Sequence, residues 1–158
     1  MSQAQPSSQF AIQRLYLKDV SFEVPGAPDI YSQGARLEVN LQVNHQHRTV
    51  GDDPTLVEVS LKLAINAKQG ERTAYIVEVD QGGLFALKNF SDAQREQLLA
   101  AYCPGLLYPY AREAVDNLVV KGGFAPLMLK PIDFAALYYQ RKAQQAEHLN
   151  APSGDRAN

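Results

Sequence analysis

The sequence predicts an α+β fold: a four-stranded antiparallel sheet, with a long kinked helix and a second C-terminal helix packed on one face. Three observations carry it. Leu37, Val39, Leu41 and Val43 alternate with Arg36, Glu38, Asn40, Gln42 and Asn44, the period-two pattern of a half-buried strand. Leu107, Tyr110, Ala111, Ala114, Val115, Leu118 and Val119 recur at helical spacing. The strand patterns all precede the helical ones, and that order places helices on one face of an antiparallel sheet rather than between parallel strands.

In chain order, residues 1–8 are polar and aperiodic and are expected to be a disordered tail. Phe10 to Val24 reads as the first strand, with Phe10, Ile12, Tyr16, Val20 and Phe22 on one face. After Pro25-Gly-Ala-Pro28, about ten residues carrying Ile30 and Tyr31 precede the next strand, a length that suggests a crossover rather than a hairpin. The second strand is expected over 36–44, with His45-Gln-His47 in a turn. Thr55 to Ala67 sets Val57, Val59, Leu61, Leu63 and Ile65 against Glu58, Ser60, Lys62 and Asn66. Thr73 to Asp80 sets Tyr75, Val77 and Val79 against Ala74, Ile76, Glu78 and Asp80, with Gln69-Gly70-Glu71 as the hairpin and Gly82-Gly83 as the strand end.

Ser91 and Gln94 form a capping-box start for the long helix. Pro104 lacks an amide proton and should break or kink it, and Gly122 should end it. Asp133 is placed to cap the last helix, with Ile132 and Leu137 as a staple. The apolar stripe of that helix, Phe134, Leu137 and Tyr138, vanishes beyond Tyr139. The single domain is expected over 9–149, with residues 150–158 as a second disordered tail.

Composition narrows the function. With 15 basic and 17 acidic side chains the net charge is −2, so no global basic field favours nucleic acid or anionic lipid. The N-terminus lacks the basic and apolar regions of a secretory signal, no apolar run reaches membrane-spanning length, and the lone Cys103 cannot form an internal disulfide. Together these lead to the expectation of a cytoplasmic protein without membrane insertion. Cys103 reads as a small buried hydrophobe rather than a nucleophile. His45 and His47 could face one way as metal ligands, but no third ligand lies nearby, and solvent-exposed histidines are expected. No triad or paired-carboxylate site stands out, so the chain is not expected to be an enzyme. Two surface features remain. The polar sheet face collects Asp19, Ser21, Glu23, Glu58, Glu78 and Asp80, with Lys62 as its central cation. The irregular segments hold an apolar excess in Ile30, Tyr31, Phe124, Leu127, Met128, Leu129, Ile132 and Phe134, as a set favouring a groove for extended apolar ligands.

Tyr16-x-Lys18-Asp19-x-Ser21-Phe22-Glu23, Glu78-Val-x-Gln-Gly-Gly83, Ala101-Tyr-Cys-Pro104, Pro109-Tyr-Ala-Arg-Glu113 and Pro131-x-x-Phe134 occur in this order. In these motifs, over roughly residues 10 to 140, the chain resembles the SecB family of bacterial protein-export chaperones. The resemblance implies an ATP-independent chaperone that holds unfolded precursor proteins translocation-competent and delivers them to the SecA ATPase. A related chaperone dedicated to one toxin–antitoxin client is the alternative. It implies a homotetramer, a dimer of dimers, with no nucleotide, cofactor or metal of its own. By position it implies a SecA-docking surface at Asp19, Glu23, Ile76 and Glu78. It implies a client groove at Ile30, Tyr31, Val39, Leu41, Phe124, Leu127, Leu129, Phe134 and Leu137. Tyr75, Val77, Val79, Tyr108 and Val120 carry apolar surface that a monomer with two thin helices should leave uncovered, and are expected at the oligomer interface.

Overall fold

The computed structural model describes residues 3–32 and 34–151; the expected C-terminal tail lies outside them from residue 152 onward, as do residues 1–2 of the N-terminal one. Four strands, β1 (Gln9–Glu23), β2 (Glu38–Val50), β3 (Asp53–Gln69) and β4 (Arg72–Lys88), form one antiparallel sheet in the order β1-β4-β3-β2. The segment between β1 and β2 is therefore a crossover, and it carries a short 3-10 turn at Asp29–Ser32 that buries Ile30. Ser8 and Ser7 are tied beside the sheet by hydrogen bonds with Asn89, at 2.9 and 3.1 Å.

The helical face of the sheet is the core. Val57, Val59, Leu61, Leu63, Ile65 and Ala67 of β3 stand beside Phe85, Val79, Val77 and Tyr75 of β4, and all are essentially inaccessible to solvent. Across them lies a continuous helical segment, α1 (Asp92–Gln97), a π turn (Leu98–Tyr102) and α2 (Cys103–Lys121). Ser91 caps α1 with the full capping box: Gln94 N–H donates to Ser91 Oγ and Ser91 N–H to Gln94 Oε1. Pro104 does not break the helix. The wider π turn just before it, closed by Cys103 N–H donating to the Leu98 carbonyl, takes up the distortion. Leu107, Ala111, Val115 and Val119 of α2 are buried on the sheet. Gly122 and Gly123 end the helix as expected, Gly123 at a φ of +84° that favours glycine. Asp133 caps α3 (Phe134–Asn150) by accepting from Ala136 N–H at 3.0 Å, and α3 reaches back to α1 through Gln97–Tyr139 (2.8 Å) and Lys142–Glu96 (3.6 Å).

Three expectations about the strands need correction. β1 slips register between Ile12 and Arg14 and between Leu17 and Asp19. Each bulge adds a residue and reverses the facing of the residues beyond it, so Leu15 and Leu17 join Phe10 and Ile12 while Tyr16 turns to the opposite, open face. β2 extends through His45-Gln-His47 to Val50 instead of turning there. β4 continues through Gly82-Gly83 to Lys88. A Cβ at Gly82 would sit 2.4 Å from the Tyr16 ring, and one at Gly83 2.6 Å from Phe85; the glycines admit neighbouring rings rather than ending the strand.

Candidate functional site

On the open face, register places side chains in rows across all four strands. At one end stand Glu23 and Ile76, then Ser21 beside Glu78, then Asp19, Asp80, Lys62 and Asn44. These rows contain the four positions Asp19, Glu23, Ile76 and Glu78 together; the carboxylates of Asp19, Glu23 and Glu78 belong to exposed residues. Asp80 is partly shielded: its Oδ1 is buried with no hydrogen-bond partner among the described residues, and burial pushes its carboxyl above the ordinary range.

Glu58 behaves differently from the other acids. Only 7% of it is exposed, although it stands on the open face. Its carboxylate accepts from the Tyr16 hydroxyl, from Lys18 Nζ at 2.8 Å and from Arg48 Nε at 3.0 Å. The Lys18 and Tyr16 hydrogen bonds hold the carboxyl down at about 2, while burial and Glu58 push the Tyr16 phenol up to about 12. Glu58 is thus neutralised internally and is no part of an acidic docking surface. Alternation missed its partners for a physical reason: Lys18 sits in a bulge, and Arg48 belongs to the part of β2 read as a turn. Among the described residues this face also carries the cations Arg14, Lys18, Arg48, Lys68 and Lys88 besides Lys62, so it is two-signed rather than acidic throughout.

The helical side is apolar and open. A cavity of about 840 Å³ lies between α1, the π turn and the start of α3, walled by Phe90, Leu98, Tyr102, Leu106, Ile132 and Phe134. Tyr102 is 52% exposed and meets Phe10 edge-on with ring centroids 5.2 Å apart. Leu98, Tyr102 and Leu106 recur every four residues. That second helical stripe was legible in the sequence but stood in the shadow of the core stripe beside it.

The nine expected groove positions separate into groups. Ile30 (2% exposed) and Phe134 (4%) belong mainly to the core, a correction for Ile30 in particular, because its 3-10 turn folds it under the sheet edge. The Tyr31 and Phe124 rings meet tilted with centroids 5.5 Å apart, and Phe124 lies 4.9 Å from Tyr75; the Tyr31 hydroxyl donates to the Gly122 carbonyl at 2.7 Å. Val39 and Leu41 face the helical side from the edge strand β2, Val39 exposed and Leu41 half-buried. Leu127 and Leu129 are half-buried on the loop after α2, which Asp116 and Arg112 hold through the Leu127 amide and the Leu129 carbonyl. Leu137 shares a smaller cavity with Val43, His45, Phe134 and Arg141. Of the nine, Phe134 reaches the larger cavity. His45 meets the Phe134 ring edge-on, and burial, with Arg141 and His47 nearby, pulls its pKa below the ordinary value.

Interface expectations change too. Tyr75, Val77 and Val79 are fully enclosed beneath α2 within one chain, and Tyr108 is buried with its hydroxyl on the Lys130 carbonyl. α2 covers the inner strands β3 and β4 within one chain, while Ile12, Leu17 and Val20 of β1 stay exposed on that side. Of the five, Val120 alone is exposed; Tyr102 and Tyr110 are exposed on the same long helix. Cys103 is buried and its thiol is pushed up to about 12 by burial, which leaves no thiolate for nucleophilic work near neutral pH.

The family described as preprotein translocase subunit SecB matches residues 2–145. This chain belongs to the SecB family. It is 46% identical over 147 residues to a protein-export protein SecB of Alkalilimnicola ehrlichii, covering 93% of this chain and 77% of the relative. A protein-export protein SecB of Marinobacter nauticus is 47% identical over 148 residues, 92% and 87% of the two chains. Among solved structures, the Mycobacterium tuberculosis SecB-like chaperone Rv1957, in complex with a peptide of the antitoxin HigA1, superposes with a TM-score of 0.64 at 20% identity, covering 78% and 90%. That likeness concerns the fold. Protein export and chaperone activity follow from family membership. Among the described residues no helix is long and apolar enough to cross a membrane.

Proposed function

We propose that this chain is a cytoplasmic, ATP-independent export chaperone whose sheet separates two partners. The helical side holds unfolded precursors. The 840 Å³ cavity carries this reading: it is apolar, open, and walled by aromatic rings and flexible aliphatic side chains that suit varied apolar segments. The exposed Tyr31, Val39 and Leu137 extend apolar surface onto the crossover, β2 and α3. Folded proteins have already buried the segments such a surface needs, so unfolded ones are preferred. The open face docks the SecA ATPase through Asp19, Glu23, Ile76 and Glu78, by charge and therefore with sensitivity to salt. The exposed side of the long helix at Tyr110 and Val120 supports self-association into a dimer of dimers.

A pull-down with SecA and an unfolded precursor tests this. Glu78→Lys is expected to abolish SecA capture while the protein still suppresses precursor aggregation; Tyr102→Asp is expected to weaken suppression and leave SecA capture. If either variant, still folded, lost both activities, the assignment of separate faces would be wrong. The antitoxin peptide bound by the structurally similar Rv1957 chaperone motivates a second reading, a single dedicated client. Suppression of aggregation for several unrelated precursors would exclude it.

A further inference from the structure

The open face is divided by charge along the strands. The Glu23, Glu78, Asp19 and Asp80 rows leave one end with an excess of negative charge over its cations Lys62 and Lys68. After a neutral row of Tyr16, Gly82, Ser60 and Gln46, the next row reads Arg14, Leu84, Glu58, Arg48 from β1 to β2. Glu58 is the one carboxylate in that row, and it is already engaged by Lys18 and Arg48. Lys18, Arg14 and Arg48 leave that end with an excess of positive charge; Arg48 is 63% exposed, and Arg14 is exposed and forms no salt bridge among the described residues. The acidic row next to that neutral one contains the one buried carboxylate oxygen of the face without a donor among the described residues, Asp80 Oδ1.

We propose that the docking partner of this face is itself two-signed: a basic portion seats on Glu78 and its neighbours, and an acidic portion seats on Arg14 and Arg48, fixing the direction in which the partner lies. The inference rests on the docking reading above and specifies the partner's chemistry. Leu84, in the Arg14–Arg48 row, is six residues along β4 from Glu78. At about 3.3 Å per residue the two ends are roughly 20 Å apart. An extended segment spans that in about six residues, and a helix in about thirteen at 1.5 Å each. A uniformly basic partner would be repelled by the Arg14 end, and a uniformly acidic one by the Glu78 end. Charge complementarity of this kind acts on the rate and orientation of encounter more than on buried affinity.

The sign of one substitution separates the alternatives. SecA binding to the intact oligomer is measured at low and high salt for wild type, Arg14→Glu, Arg14→Lys, Arg48→Ala and Glu78→Lys. Arg14→Glu and Arg48→Ala are expected to weaken binding roughly two- to fivefold at low salt, as for exposed ion pairs. The loss should shrink at high salt, and Arg14→Lys should bind as wild type. If Glu78→Lys abolishes binding while Arg14→Glu leaves it unchanged or tightens it, the partner is uniformly basic and the inference falls, with the docking reading intact. If Glu78→Lys has no effect, the docking reading falls and this inference with it.

Discussion

Glu58 shows how one side chain can set the character of a whole surface. Its carboxylate gathers a phenol, an ammonium and a guanidinium, so replacing it with glutamine leaves three donors sharing a weaker acceptor. Glu58→Gln is expected to cost about 1–3 kcal/mol at neutral pH, in the range for a buried charge-assisted bond. The pH dependence comes from the depressed carboxyl. Because the folded value lies below the unfolded one of about 4.5, the stabilisation is complete above 4.5 and is lost as pH falls toward about 2. Acid titration of the melting temperature should therefore be shallower in Glu58→Gln than in wild type; an identical slope would contradict the network. Gly82 makes a steric counterpart. A Cβ there meets the Tyr16 ring at 2.4 Å, so Gly82→Val should displace Tyr16 from Glu58 and lower the melting temperature well beyond an ordinary surface change. At this scale the sequence was half legible. It put Asp19, Glu23, Ile76 and Glu78 on one face and Cys103 in the core. It did not disclose that Glu58 is neutralised, because pairing depends on which strand lies beside which.

Elements were read best where a single period runs uninterrupted. β3, the capping box at Ser91, the C-cap at Gly122 and the Asp133 cap all arise from local rules that tertiary contacts reinforce. β1 defeated simple alternation, yet its bulges leave a trace: the polar pairs Gln13-Arg14 and Lys18-Asp19 stand where the register slips. Pro104 defeated the expectation of a broken helix, since a π turn, invisible to a 3.6-residue count, supplies the room. α3 offers an element-scale prediction. His45 packs against Phe134 with Arg141, Lys142 and Glu96 from the two helices and His47 from its own strand around it. Its folded pKa lies below 6.5, so the native state takes up its proton less readily than the unfolded chain does. Stability contributed here is full above 6.5 and falls as pH drops below it. His45→Leu should blunt that loss between neutral and mildly acidic pH, read as melting temperature; an unchanged profile would show that His45 titrates freely.

Across the whole molecule, the sheet is a partition. One side is a hydrophobic core continued outward into an apolar cavity, and the other is a charged surface. Family and fold were legible because the motifs are long and occur in order. The cavity was not, because its walls come from α1, the π turn and α3, which come together only once the chain has folded back. Self-association was expected through Tyr75, Val77 and Val79, which α2 instead covers within one chain. Of the expected set Val120 stays exposed, as does Tyr110 on the same helix, and Val120→Glu should shift light-scattering mass toward smaller species without lowering the monomer's helix content. A full-size assembly in that variant would move the interface elsewhere.

The central claim is that client and SecA occupy opposite faces of one sheet. It is tested most directly by measuring SecA affinity in the absence and in the presence of a saturating unfolded precursor. Independent faces predict affinities within about twofold of each other, since sites without a shared two-state element carry little coupling free energy, together with a ternary complex at stoichiometric mass. Mutual exclusion, in which saturating precursor displaces SecA, would contradict the account and place both partners on one surface.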